Sequence, residues 1–289
     1  MLKKLNVCDG IEKSPCVFLL GGFDGLHIGH KKLVDFAKLF RLPVGMMTME
    51  GGKGNGLFTL EEKCKIFRAQ GVDFIDAMSF DEHLKNTSRE DFLSALLKRY
   101  TIRAFVCGKD FRFGKEAAGD PAFIARYTGI PVHDLDILNV DGRKVSSTLI
   151  KERLKEGKVK EANALLTQPF FVNGKVEEGR KEGRKLSFPT ANLSYPENKF
   201  LIHEGVYAVH SDLAGKRYYG ICNVGACPTF GVNSLKVEVN YDGFDGDLYG
   251  QEIDVFFDGY LRDIQKFPSK EALTEQLNFD RRRVRDGNY

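Results

Sequence analysis

No apolar run in this 289-residue chain approaches the ~18 residues that a membrane-spanning helix needs. The longest runs, 16–20 and 43–47, are strand-sized. Near the start, Lys3 and Lys4 are followed by Asp9, Gly10 and Glu12, where a signal peptide needs an apolar core. The expectation is a chain that is neither secreted nor inserted in a membrane. Net charge is only +3, too small to point to nucleic acid. Arg281, Arg282, Arg283 and Arg285 cluster near the end, and read as a solvated helix terminus. Six cysteines (Cys8, Cys16, Cys64, Cys107, Cys222, Cys227) are scattered, and no two form a CxxC pair. That pattern fits a reduced cytoplasmic chain better than a disulfide framework or a zinc site. Apolar residues at 42% and charged residues at 29% are ordinary for a globular protein and exclude disordered and fibrous classes. The length corresponds to roughly two domains.

Strand-like and helical patterns alternate over the first half. Runs at 17–20, 44–48, 74–80 and 104–107 read as strands. Segments 31–40, 60–70, 89–100 and 147–156 carry apolar residues at helical spacing. Such alternation implies a parallel sheet covered on both faces, with ligands beyond the carboxyl ends of its strands. After about Gln168 helical periodicity stops. Strand-sized runs at 169–176, 205–210, 218–224, 235–241 and 252–257 are separated by glycine, asparagine and aspartate, which implies an antiparallel barrel or sandwich. A final helix is expected over 269–279, with Ser269 as its cap. A short helix at 158–166 connects the halves, giving domains at 1–160 and 161–289.

The first strand runs into Gly21-Gly22-Phe23-Asp24-Gly25-Leu26-His27-Ile28-Gly29-His30 and then a helix. Glycines allow close approach of a ligand to the backbone, and a helix N-terminus offers unpaired N–H groups to phosphate. His27 and His30 could donate to phosphate oxygens and stabilise charge on a departing pyrophosphate. The spacing is not that of a dinucleotide GxGxxG site, and two histidines without a third ligand make a weak zinc site. Ser146, Ser147 and Thr148 stand where another helix starts; by themselves they read as a cap.

His27-Ile28-Gly29-His30 resembles the HxGH motif of the nucleotidyltransferase superfamily. The longer run from Phe23 resembles the bacterial bifunctional riboflavin kinase/FMN adenylyltransferase family. Gly108-Lys109-Asp110-Phe111-Arg112-Phe113-Gly114 and Val145-Ser146-Ser147-Thr148 match later motifs of that family. The resemblance implies that His27 and His30 are catalytic. It implies that Gly21, Phe23, Asp24, Gly25, Gly29, Ser147, Thr148 and Lys151 hold ATP. Asp110, Phe111 and Phe113 would meet the flavin.

In the second half, Gly183 to Leu193 contains Phe188-Pro189-Thr190-Ala191-Asn192 and resembles the riboflavin kinase motif that ends in FPTAN. Asn223-Val224-Gly225, Pro228-Thr229-Phe230, Val237-Glu238-Val239, Asp247-Leu248-Tyr249-Gly250 and Leu261-Arg262 follow in family order. By that resemblance Thr190 and Asn192 bind Mg²⁺ and ATP phosphate. Gly179, Gly183 and Arg184 cover the nucleotide, and Arg262 meets the flavin. Glu238 is the base, since a primary alcohol must lose its proton as it attacks a γ-phosphate.

Four positions depart from the family. Segment 48–56 lacks the usual PHP element. Lys151 stands for arginine, Glu178 for histidine and Ser187 for glycine. The combined reading is a Rossmann-like α/β adenylyltransferase domain followed by an antiparallel β-barrel kinase domain with a C-terminal helix. It would make FAD from riboflavin and ATP in two steps with Mg²⁺, acting on small molecules without nucleic-acid or membrane partners. A single-activity homologue and a non-catalytic flavin or nucleotide binder are the alternatives.

Overall fold

The computed structural model describes residues 3–5, 14–50, 55–136, 138–177, 190–226 and 235–289. The chain forms two compact units, Met1–Leu149 and Ile150–Tyr289. The sequence-based division at 160/161 lies a little later, within the helix Val159–Ala164.

In the first unit six strands form one sheet. They are β1 (Lys3–Leu5), β2 (Pro15–Leu20), β3 (Val44–Glu50), β4 (Phe74–Ser79), β5 (Thr101–Gly108) and β6 (Val132–Leu135), in the order β1-β4-β3-β2-β5-β6. All neighbours pair in parallel except β1, which joins β4 antiparallel at the edge. Cys16 to Leu20 are each at most 1% exposed, which explains why β2 reads as an unbroken apolar run. The order reverses between β2 and β5, so residues after these two strands sit at the switch point where ligands bind.

Among the described residues five α-helices accompany this sheet: α1 (Ile28–Lys38), α2 (Leu60–Ala69), α3 (Glu82–Asn86), α4 (Arg89–Arg99) and α5 (Pro121–Thr128). Thr59 and Glu62 form a reciprocal capping box on α2, and Ser88 caps α4. The sequence reading missed α5 and β6. The overlooked signal is Asp120 as cap, Pro121 in the first turn and Gly129 left-handed at the end. A two-stranded hairpin, β7 (Asn139–Val140) with β8 (Arg143–Lys144), precedes α6 (Ser147–Lys155) and α7 (Val159–Ala164).

The second unit is a nearly closed antiparallel barrel. Its strands are β9 (Phe171–Lys175), β10 (Ala191–Ser194), β11 (Gly205–Leu213), β12 (Lys216–Ala226), β13 (Leu235–Tyr241) and β14 (Glu252–Arg262), in the order β10-β13-β12-β11-β14-β9. A bridge between Glu177 and Asn192 brings the two edges together, with the Glu177 N–H donating to the Asn192 carbonyl at 2.8 Å. Val237 and Val239 alternate with polar neighbours. They pair with Val224 and Cys222, all four being fully buried. The opposite face carries Val206, Ala208, Ile221 and Leu261 under Val284 of the last helix, α8 (Lys270–Arg285).

That helix is longer than the sequence pattern indicated, and its arginines are solvated only in part: Arg282 and Arg285 are exposed, whereas Arg281 and Arg283 are half-buried. Arg281 donates to Asn240 at 2.9 Å, Arg283 to the Leu261 carbonyl at 3.1 Å and Arg285 to Asp242 at 2.5 Å. Buried Asp280 pairs with Arg262 at 2.9 Å and accepts from Gln276 at 2.9 Å. Apolar periodicity fades after Phe279 because ion pairs and hydrogen bonds, with Val284 the one buried apolar side chain, fasten this part of the helix.

Candidate active sites

A cavity of about 780 Å³ opens at the switch point of the first unit. Gly21, Gly22, Phe23, Asp24 and His27 line it from the loop after β2, Gly29 and His30 from the first turn of α1, and Gly108 and Asp110 from the end of β5 and just beyond. The loop is held from below, since the Thr48 hydroxyl donates to the Gly22 carbonyl at 3.2 Å. Gly25 has φ +81°, and a Cβ there would stand 2.7 Å from Leu57. Both the conformation and the contact demand glycine. Phe23 also takes a positive φ, +42°, and its ring is almost fully buried 4.8 Å from that of His30. Burial of the ring offsets a backbone strain of order 1 kcal/mol.

The HxGH spacing has a local structural cause. His27 is the N-cap of α1, and its Nδ1 accepts the His30 N–H at 3.2 Å. Neutral His27 therefore carries its proton on Nε2. His30 Nδ1 lies 2.9 Å from the Gly25 carbonyl, which can only accept, so His30 donates from Nδ1 and its Nε2 is unprotonated when neutral. The two rings stack with centroids 3.5 Å apart. Burial, then the charges of His30 and Lys144, push His27 down to about 2. Burial pushes His30 down to about 4 despite its bond to Gly25 and the nearby carboxylates of Asp24 and Asp110. Both are neutral at pH 7, one offering a donor and the other an acceptor.

Ser147 lines the same cavity, and its Oγ donates to the Asp24 carbonyl at 2.5 Å, joining the start of α6 to the loop after β2. The cap itself is Ser146, whose Oγ accepts the Leu149 N–H at 3.3 Å. Ser146 lines the cavity and was absent from the residues expected there; Thr148 is exposed and does not line it. Lys144 is a second unanticipated neighbour, ion-paired to Asp110 at the cavity wall. Lys151 is not among the lining residues, and its ammonium stands 5.7 Å from the Phe200 ring centroid. Asp24 Oδ1 accepts the Leu57 N–H at 2.7 Å, so this carboxylate organises the loop. Phe111 and Phe113 stack with centroids 5.5 Å apart. With Met49, Phe80, Leu84 and Phe92 they make the other end of the cavity apolar. Residues 51–54 of the departing 48–56 segment lie outside the described residues.

In the second unit, strand register aligns the expected kinase residues. Asn192 of β10 lies opposite Glu238 of β13, and Glu238 opposite Asn223 of β12. The same row continues through Val206 to Arg262. Directly paired residues share a face, so these groups stand on the side covered in part by α8. Asn192, 7% exposed, donates from Nδ2 to the Thr190 Oγ1 at 3.3 Å. A cleft of about 350 Å³ is lined by Thr190, Tyr241, Phe244, Leu248 and Tyr249. Gly179, Gly183, Arg184, Glu178, Ser187 and the Pro228-Thr229-Phe230 stretch lie outside the described residues.

Comparison with known proteins assigns the two halves separately. Residues 10–149 match the FAD synthetase family and residues 166–287 the riboflavin kinase family. The bifunctional riboflavin kinase/FMN adenylyltransferase of Bacillus subtilis is 31% identical over 93% of this chain and 92% of its own. The protein of the same name from Escherichia coli is 30% identical over 99% of this chain and 97% of its own. A crystal structure described as a macrolide-efflux protein from Streptococcus pneumoniae aligns with TM-score 0.85 and 27% identity over 97% of each chain. Among the described residues here, no helix is long and apolar enough to cross a membrane.

Proposed function

The chain belongs to the bifunctional riboflavin kinase/FMN adenylyltransferase family, and from that premise we propose that it makes FAD from riboflavin in two ATP-dependent steps. The observation that carries this reading is the convergence, in one cavity, of the stacked His27–His30 pair, the Ser146–Ser147 helix start and an aromatic end. A nucleotide with phosphates at the helix N-termini and a planar apolar partner at the far end fits that layout.

For adenylyl transfer, an FMN phosphate oxygen attacks the α-phosphorus of ATP as the bond to the β-phosphate oxygen breaks. His27 donates from Nε2 to the phosphate oxygens on which charge accumulates, and Lys144 adds a fixed positive charge beside them. The α1 and α6 N-termini supply further backbone donors. The Gly25 carbonyl and the His30 N–H hold the two rings in place, so no reorientation is needed as charge develops.

For the kinase step, Glu238 takes the proton of the ribityl hydroxyl as that oxygen attacks the γ-phosphorus, and ADP leaves. The sheet row supports this role: neighbouring strands are about 4.8 Å apart, so Glu238 to Arg262 spans roughly the length of a riboflavin molecule. Mg²⁺ fits the donor set, since the Thr190 hydroxyl and Asn192 amide offer hard neutral oxygens and the phosphates supply the charge. Among the described residues no cluster of His, Cys, Asp or Glu competes for it. When bound, the ion neutralises phosphate charge. A division of labour near 160/161 and a cytoplasmic location belong to the same proposal, the latter supported by the free thiols Cys16, Cys64, Cys107 and Cys222. Assaying the steps separately tests it. FMN plus ATP should yield FAD and pyrophosphate, and riboflavin plus ATP should yield FMN and ADP; loss of either product reduces the chain to one activity.

A further inference from the structure

The buried stripe of α2 runs through Leu60, Lys63, Ile66 and Phe67, with a lysine where the spacing calls for an apolar residue. Lys63 is 4% exposed, and taking an ammonium out of water is costly unless its donors and its charge are met. Its Nζ donates to the Met49 carbonyl at 2.9 Å and lies 3.8 Å from Asp24 Oδ1. Met49 is the penultimate residue of β3, and its own N–H donates to the Gly22 carbonyl at 3.2 Å. Gly56 packs against the same pair: a Cβ there would stand 3.2 Å from Asp24 Oδ1 and 3.9 Å from the Lys63 Nζ. Asp24 lines the cavity, whereas Lys63 does not. The ammonium therefore sits behind the loop after β2, outside the cavity wall.

A cavity that takes a polyphosphate gains nothing from negative charge in its wall. Asp24 is nevertheless fixed there, because its Oδ1 accepts the Leu57 N–H at 2.7 Å. A leucine at position 63 would fill the apolar stripe of α2 but would bring no charge to offset that carboxylate. Resting on the adenylyl-transfer reading of this unit, we propose that Lys63 is a positioning residue for ATP: its buried ammonium offsets the charge of Asp24 and ties the loop after β2 to the end of β3. Lys63 touches no substrate and acts through Asp24 and the backbone of the loop. Salt screens a buried pair of this kind much less than a surface pair, so the offset persists at physiological ionic strength. The capping box of Thr59 and Glu62 fixes the first turn of α2, which sets where the ammonium is delivered.

The test uses the full chain with Lys63→Met, Asp24→Asn and the two together. Methionine fills the space and removes one positive charge. A unit charge about 12 Å from a phosphate changes affinity about tenfold at an effective dielectric of about 20, so the KM for ATP in FAD formation should rise about tenfold. Riboflavin phosphorylation, read in the second unit, should stay as in the wild type. Adding Asp24→Asn to Lys63→Met restores the charge balance and should return the KM for ATP to within about threefold of Asp24→Asn alone. A packing role would leave the double variant at least as impaired as Lys63→Met. An ATP dependence unchanged by Lys63→Met, or a double variant no better than Lys63→Met, would overturn the proposal. If Lys63→Met unfolds the first unit, the double variant decides alone: a KM near that of Asp24→Asn supports the proposal and one about tenfold higher overturns it. Calorimetric titration with Mg-ATP and no flavin gives a readout without turnover. A binding event weakened by Lys63→Met and recovered in the double variant supports the proposal even if the wild type forms no FAD, in which case the adenylyl-transfer reading fails alone. Titrations that superimpose for wild type and Lys63→Met remove Lys63 from the site.

Discussion

Replacing His30 by alanine should separate the two activities. In the native site the His30 ring stacks on His27 at 3.5 Å, donates to the Gly25 carbonyl at 2.9 Å and touches Phe23. Truncation removes one of the two imidazoles facing the phosphates and frees His27 to tilt. His27 is the imidazole that donates to the developing charge, and misplacing it forfeits much of what one preorganised donor supplies, about 10²–10³ in rate or roughly 3–4 kcal/mol. The His30 backbone N–H remains to cap onto His27 Nδ1, so α1 itself should persist. FAD formation from FMN at saturating ATP should therefore fall at least a hundredfold. FMN formation from riboflavin, measured on the same preparation, should change less than twofold. Equal loss of both activities, or a fall in FAD formation below tenfold, would refute the placement of His30 at the transferring phosphate.

Glu238→Gln keeps the shape of β13 and removes the base, so riboflavin phosphorylation should drop by roughly 10²–10⁴ with the adenylyl step intact; an unchanged initial rate of FMN formation would exclude Glu238. Asp280→Asn leaves the largely buried Arg262 guanidinium, 13% exposed, without its fully buried counter-charge, and chemical denaturation of the second unit should report a loss of about 3 kcal/mol; a loss below about 1 kcal/mol would mean the pair is not what fastens α8. The depressed histidines make the first unit acid-sensitive. Unfolded histidine titrates near 6.5, whereas His30 titrates at about 4 and His27 at about 2 when folded. Below about 6.5 the unfolded chain binds more protons, so stability is complete above that pH and declines as pH falls through this window. Denaturation midpoints from pH 7 to 4.5 should fall less steeply in His30→Gln than in the wild type; parallel curves would show that His30 does not carry the effect.

Much of this architecture is legible in the chain because its strongest signals are local. Runs of apolar residues, each followed by a glycine pair, mark β2 and β3, which are buried on both faces over most of their length. The Val237–Val239–Tyr241 alternation marks a strand with one face in the barrel core. The HxGH spacing is legible for a reason that pattern matching hides: residue 27 caps the helix onto residue 30. Signals that depend on long-range pairing are silent in sequence. Lys144 reaches the histidines only because the β7–β8 hairpin folds beside the end of β5. Arg262 joins the row of Glu238 only through three successive strand pairings. Ser146 was read with Ser147 and Thr148 as a cap but left out of the phosphate-binding residues, because composition cannot place a helix start within one residue; the hydroxyl that accepts the Leu149 N–H fixes it. The arginines of α8 looked solvated because their partners, Asn240, Asp242 and the Leu261 carbonyl, lie about 20 to 45 residues away.

The most direct measurement is a time course of the full chain with riboflavin, ATP and Mg²⁺, resolved by chromatography into riboflavin, FMN and FAD. FMN should rise first and then give way to FAD, with ADP formed in the first step and pyrophosphate in the second. FMN that accumulates without FAD, or riboflavin that is never consumed while ATP remains intact, would contradict a chain that carries both steps.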